Sequence, residues 1–428
     1  MKTEPNTSDP VAMARALGEF IDASPTPFHA TRTLSKLLID AGFERLDENE
    51  RWALKDDGKY FVTRNDSSIL AFTHPGQVAN GIRMSGAHTD SPCLKIKPNA
   101  SLTRHNVWQL GVEVYGGALL HPWFDRDLSI AGRVSGTLRS GEPFSELIDF
   151  KRPIARIPSL AIHLAREVNN SNPINAQKHL PLMLGDINNK SSFEALLIEL
   201  CEADAEAILE YELSCYDTQA STITGLNKEW ISASRLDNLL SCFIAARALI
   251  DATVKPNQTA LFVATDHEEI GSASTCGAQG PFLKSVLERL TPDAQALTQC
   301  MQRSLLVSCD NAHAIHPNYA DKHDEQHGPK INQGPVIKIN TNQRYATNSE
   351  SSTAFQMVCK AANVPVQKFV VRSDMGCGST IGPIMATELG IPTLDIGAPQ
   401  WAMHSIRETA GTKDCEYLHQ ALTTFYSQ

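Results

Sequence analysis

The chain has 428 residues, of which 42% are hydrophobic and 20% charged, and it carries a formal net charge of −10. That length allows two or three domains with substantial cores, and the composition is that of an ordinary soluble protein. The acidic balance, with no Lys/Arg-rich run, speaks against a nucleic-acid or anionic-membrane partner, so an acidic ligand has to be met by individual cations in a site. The ten cysteines are scattered and form no C-x-x-C pair, the pattern of reduced thiols in a cytosolic protein. The leader Met1-Lys-Thr-Glu-Pro-Asn6 has no apolar stretch of the signal-peptide kind, and no apolar run approaches membrane-spanning length. A cytoplasmic location is expected.

After the polar leader, Val11, Ala14, Leu17 and Ile21 have helical spacing, predicting a helix from Pro10 to Ala23. Ser24-Pro-Thr-Pro-Phe-His29 interrupts it, and 30–42 reads as a second amphipathic helix. Short strands are expected at Tyr60–Thr63, Ser68–Phe72 and Ile82–Ser85. From about Lys97 the texture changes to alternating segments, Val112–Tyr115 and Ile130–Leu138, punctuated by glycine turns, as in half-exposed antiparallel strands. Helical pieces are expected at Leu160–Asn169 and Phe193–Ala203. Residues 98–231 therefore read as a β-rich domain inserted into a first domain formed by 1–97 and 232–428.

The α/β pattern resumes with a helix after Leu236-Asp-Asn238 and a buried, parallel-type strand at Leu261–Ala264. A helix at Phe282–Leu290 and a strand at Ser304–Ser308 follow. A final strand-loop-helix-strand unit takes in Gln367–Val371, Ile381–Leu389 and Ile391–Ile396. The fold class expected is α/β, with a mixed, mostly parallel sheet covered by helices on both faces.

Ligand-type residues follow the strands: His88 and Asp90, Asp237, Glu268 and Glu269, Asp310, and His404. Open α/β sheets place their ligand crevice at strand carboxyl ends. Imidazole with carboxylate suits Zn²⁺ or a similar divalent ion, and five ligands sharing one carboxylate suffice for two ions about 3.5–4 Å apart. Of adjacent glutamates, one can bind metal while the other acts as general base. In His88-x-Asp90, the aspartate is placed to accept the imidazole's second N–H and fix its tautomer. His313 and His316 follow Asp310 closely enough to touch substrate, whereas His323-Asp-Glu-Gln-His327 reads as a loop. His163 on its own reads as a structural histidine. The glycine-rich turn Arg372–Thr380, containing Met375 and Gly376, lacks both dinucleotide and P-loop spacing, and lets a substrate backbone approach closely.

Taken in order, Ser24-Pro-Thr-Pro-Phe-His29, Ala87-His-Thr-Asp-Ser-Pro92, Arg235-Leu-Asp-Asn238, Asp266-His-Glu-Glu-Ile-Gly-Ser272 and Ser308-Cys-Asp-Asn-Ala-His313 resemble the aspartyl aminopeptidases. Cys377-Gly-Ser-Thr-Ile-Gly-Pro383 and Ala402-Met-His-Ser-Ile-Arg-Glu408 extend the resemblance almost to the end. It implies a zinc-exopeptidase-like fold in which His88, Asp237, Glu269, Asp310 and His404 hold two metals, with Asp237 bridging. It further implies Asp90 as the orienter of His88, Glu268 as general base, and His313, Lys338 and Tyr345 in the substrate pocket, where Met375 and Gly376 also belong. His163 would stabilise the oxyanion, from a neighbouring subunit or, as a minor alternative, would touch metal. Zinc is the expected ion, with Co²⁺ or Mn²⁺ acceptable at an exchangeable site. The resemblance also implies a cis Asp237–Asn238 peptide, peptides with an acidic N-terminal residue as substrates, and a dodecamer built from dimers through the inserted domain. Lys338, with Arg344 as alternative, would select the acidic side chain. A neutral-preferring aminopeptidase, a deacylase and a non-catalytic oligomeric scaffold are the competing readings.

Overall fold

The structure is a computed structural model that describes residues 10–76, 78, 80–187 and 192–428; the polar leader lies outside the described residues. The chain divides into two units. The first comprises Met1–Asp90, Ser221–Met403 and Glu408–Gln428, and the second Ser91–Ala220 with His404–Arg407.

In the first unit, nine strands form one mixed sheet. Its central strand is Ile82–His88, and beside it Thr259–Thr265 pairs parallel with Ile82–His88 and antiparallel with Ser68–His74. Leu305–Cys309 lies parallel on the other side of Ile82–His88, and Thr393–Gly397 lies parallel beyond it. Thr259–Thr265 is buried along its whole length, which is why it reads as a continuous apolar run rather than an alternation.

Strand alternation sorts the core into two faces. Phe61, Ile69, Ala71 and Phe262 pack into one cluster with the helices Pro10–Asp22, Pro27–Asp40, Leu236–Asp251 and Thr412–Tyr426. Tyr60, Val62, Leu70, Phe72 and Val263 pack into another with Phe282–Leu290, Ala294–Arg303 and Ile381–Leu389. A smaller five-stranded sheet, running from Thr222–Thr224 to Ala312–His313, completes this unit.

The second unit is built on a six-stranded sheet whose pairs are all antiparallel. Leu128–Leu138 and Ala205–Asp217 run together over most of their lengths, and Leu94, Trp108, Leu128, Val134 and Phe193 fill the core beneath.

Two expectations change. The segment 160–169 is not an α-helix: it holds one short 3₁₀ turn, Ile162–Leu164, with all three side chains exposed. Its apolar residues Leu160, Ile162 and Leu164 stay exposed, so the helical spacing gains no burial, and most helical stability comes from burial. The second helix begins at Pro27, inside the stretch read as a breaker, because Thr26 caps it and proline is tolerated in the first turn.

Candidate metal centre

Three elements of the first unit meet around His88. The imidazole ends the strand Ile82–His88 and is 1% exposed. Its Nδ1 lies 3.0 Å from the Asp90 carbonyl oxygen and 3.4 Å from the Asp90 carboxylate. With Nδ1–H donating there, the Nε2 lone pair faces outward. It meets Asp237 Oδ1 at 3.5 Å, Asp310 Oδ1 at 3.7 Å and Glu268 Oε2 at 3.9 Å.

A lone pair surrounded by three carboxylate oxygens is repulsive unless a positive charge sits among them. Burial opposes protonation of His88, yet Asp237, Asp310 and Asp90 together raise its pKa well above the ordinary value. A divalent cation satisfies the same demand while leaving the imidazole neutral, and this nitrogen-plus-carboxylate set is zinc chemistry. Ligand atoms of His88, Asp237 and Asp310 come within 4.8 Å of one another, as do those of His88, Glu268 and Glu269.

Asp90 has a second task. Its two carboxylate oxygens accept the backbone N–H groups of Glu268 and Glu269, each at 3.1 Å. These residues open the 3₁₀ turn Glu268–Ile270, entered through His267 at φ 67°. One carboxylate thereby ties the strand end holding His88 to the turn holding both glutamates. Burial raises the Glu268 carboxyl to about 7; His88 opposes this, and Asp310, Asp237 and Asp90 reinforce it.

Asp237 begins the helix Leu236–Asp251 after Arg235 at φ 57°, and the Asp237–Asn238 peptide is cis. A set of buried polar groups holds this bend. The Asp237 N–H donates to Glu408 at 2.9 Å, and Asn238 donates to the Cys309 carbonyl at 2.8 Å. Asn311 donates to the Leu236 carbonyl and to Gln400. The rule that picked out Asp310 at a strand end applies equally to Asn311 beside it; nothing local marks Gln400 or Glu408.

Lys338 is 3% exposed, with Nζ 3.3 Å from Asp310 Oδ2, 3.2 Å from the Asn311 carbonyl and 5.1 Å from the Tyr345 ring centroid. A cavity of about 300 Å³ is lined by His313, Tyr345, Met375 and Gly376, with His323 and Trp401 among the other walls. Lys338 is not a lining residue of this cavity. His163 is exposed in the second unit. His404 also belongs to that unit, with Nδ1 3.2 Å from the Gly117 carbonyl oxygen.

Residues 20–426 match the family model of the aminopeptidase I zinc metalloproteases, M18. The chain belongs to the M18 family. It is 56% identical over 421 residues to a "Probable M18 family aminopeptidase 2" of Pseudomonas syringae pv. syringae, covering 96% of this chain and 97% of that one. Among solved structures, a cryo-EM structure of the Ape4 and Nbr1 complex superposes with a TM-score of 0.94 at 37% identity, over 100% of this chain and 87% of that one. A structure of the S. cerevesiae mApe1 dodecamer gives 0.84 at 27% identity, over 97% and 96%. The α/β fold is thus that of the M18 enzymes, and the protein is a zinc-dependent aminopeptidase, a hydrolase.

Proposed function

We propose that this M18 aminopeptidase removes N-terminal Asp or Glu from peptides, using two divalent ions held by His88, Asp237, Glu269, Asp310 and His404, with Asp237 shared. The observation that carries the reading is the His88 lone pair facing three carboxylate oxygens, with Glu268 one of them. Zinc held there would supply Lewis-acid polarisation of the peptide carbonyl and would lower the pKa of a coordinated water toward neutrality. Glu268, held in place through its N–H by Asp90, takes the proton from the attacking water and returns it to the departing amine. Asp90 also keeps His88 in the tautomer that presents Nε2.

His163, contributed by a neighbouring subunit, donates a hydrogen bond to the developing charge on the carbonyl oxygen. His313, Tyr345, Met375 and Gly376 line the pocket for the first residue. Lys338 supplies the cation for an acidic side chain: of its three N–H donors, Asp310 and Asn311 take two. Arg344 is the alternative cation. The same oxygen and nitrogen ligands would accept Co²⁺ or Mn²⁺ in place of zinc at one site.

The 98–231 segment is read as a domain inserted between 1–97 and 232–428 that mediates self-association. The dodecamer of the related mApe1 supports an assembly of that kind here. Scattered reduced cysteines support a cytoplasmic location; among the described residues, no helix is long and apolar enough to cross a membrane. A neutral-preferring aminopeptidase or a deacylase is the competing reading.

The test is hydrolysis of Asp-, Leu- and N-acetylated peptides by wild type and Glu268→Gln, with bound metal counted in both. The expected outcome is release of Asp first, and a loss of about three orders of magnitude or more in the variant with metal content unchanged. Preferred cleavage of the Leu or the acetylated peptide would overturn the substrate assignment. An active variant would overturn the base.

A further inference from the structure

The chain directly before Glu268 contains a second constellation that the reaction above does not use. Asp266 and His267 close the strand Thr259–Thr265, and Cys276 returns to them nine residues after His267. One ligand atom from each of the three lies within 4.8 Å of the other two. Cys276 Sγ is 3.6 Å from His267 Nδ1, and His267 Nε2 is 3.6 Å from Asp266 Oδ2. Cys276 is 2% exposed and Asp266 4%.

The sulfur's surroundings set it apart from the core thiols. Cys242, Cys309 and Cys415 each direct the thiol at a backbone carbonyl, of His88, Val307 and Gly411 respectively, as neutral S–H donors do. Around Cys276 Sγ stand side-chain groups able to donate: Ser274 Oγ at 3.6 Å, Asn65 Nδ2 at 3.8 Å and Ser67 Oγ at 3.8 Å, besides the imidazole. That is an environment for sulfur as electron-pair donor. Thiolate, imidazole and carboxylate together form a mixed set that zinc accepts.

We infer that Asp266, His267 and Cys276 form a further cation site, for a thiophilic divalent ion of the zinc class, separate from the centre around His88. On binding, the Cys276 thiol proton leaves to solvent and the sulfur takes up the metal. Because Asp266 and His267 adjoin Glu268 and Glu269, occupancy clamps the turn carrying both glutamates to the 274–277 loop, where Ser274 already meets His267 at 2.8 Å. The proposal concerns residues outside the catalytic ligand set and stands whether or not the Asp/Glu preference holds.

The experiment is a Co²⁺ titration of the whole protein, followed by absorption in the near ultraviolet, where a sulfur-to-cobalt charge-transfer band reports thiolate ligation directly. Wild type should develop the band, and Cys276→Ser, which keeps a polar group in place, should lose it while retaining the peptidase activity of wild type. In parallel, Zn²⁺ should protect Cys276 of the wild type from alkylation, read by peptide mapping; this arm needs no folded variant. No band in wild type, a band that survives in Cys276→Ser, or Cys276 alkylated equally with and without Zn²⁺ would overturn the site.

Discussion

Asp90 and Lys338 each serve two neighbours, so substitutions at either should separate binding from selection. In Asp90→Asn, one of the two oxygens accepting from the Glu268 and Glu269 N–H groups becomes an N–H donor. The turn is then repelled at one point, and the support of His88 is weakened with it. Partners of this kind change metal affinity by about 10–100-fold when removed, and a chelator-competition titration of zinc should show a loss in that range. Unchanged affinity would mean that the turn is held by other contacts. Lys338→Leu should lower kcat/KM for an Asp-initiated peptide by about 10–100-fold, the worth of a charge-assisted hydrogen bond, and leave a Leu-initiated peptide unaffected. An equal fall for both peptides would assign Lys338 to the support of Asp310 rather than to substrate choice.

One helix of the first unit carries a buried acid of its own. Asp414, at the start of Thr412–Tyr426, is 1% exposed and accepts the backbone N–H groups of Asn332 at 2.6 Å and Gly334 at 2.9 Å. Burial raises its carboxyl to about 7, against the pull of those donors. The folded form therefore keeps a proton that the unfolded chain releases near about pH 4. Stability from this group is fully present below about pH 4, declines as pH rises, and is lost by about pH 7. Urea unfolding of wild type against Asp414→Asn should show a difference that changes between those pH values by up to about 4 kcal/mol and is flat above them. A difference independent of pH would show the carboxyl ionised throughout. Close packing makes similar demands elsewhere: a Cβ on Gly382 would lie 2.3 Å from Asp395 Oδ1, so the helix Ile381–Leu389 can approach that strand only with glycine there.

For the molecule as a whole, the centre at His88 draws together the ends of two strands and the start of a helix through like charges. Removing zinc should therefore cost stability as well as activity. Zinc at about 100 times its dissociation constant should stabilise the fold by about 2.7 kcal/mol per site, visible as a raised Tm that a chelator reverses. A Tm indifferent to chelation would place the ions outside the cooperative unit. Much of this fold was legible in the chain. The helices Phe282–Leu290 and Ile381–Leu389 have the limits that periodicity indicates, because their apolar spacing and their tertiary burial agree. Ala294–Arg303, Ser349–Ala361 and Thr412–Tyr426 were not singled out from the sequence. Segment 160–169 shows the reverse, helical spacing with no neighbour to bury it.

By itself the sequence determined the chemistry available. It placed imidazole and carboxylate at strand ends, an adjacent pair of glutamates after a fully apolar strand, and motifs whose order resembles one family. These are local facts, and strand ends in an α/β sheet converge whatever lies between them. Only the tertiary structure decided which groups share a space. Glu408 and Gln400, distant in the chain from Asp237 and unremarkable in their own segments, hold its bend because the small sheet carries them there. The approach of Lys338 Nζ to Asp310 Oδ2, at 3.3 Å, is likewise legible only in the folded chain. Spacing along a chain reports which faces are apolar; it does not report which polar groups burial will force together, and at a metal centre that enforced proximity is the chemistry.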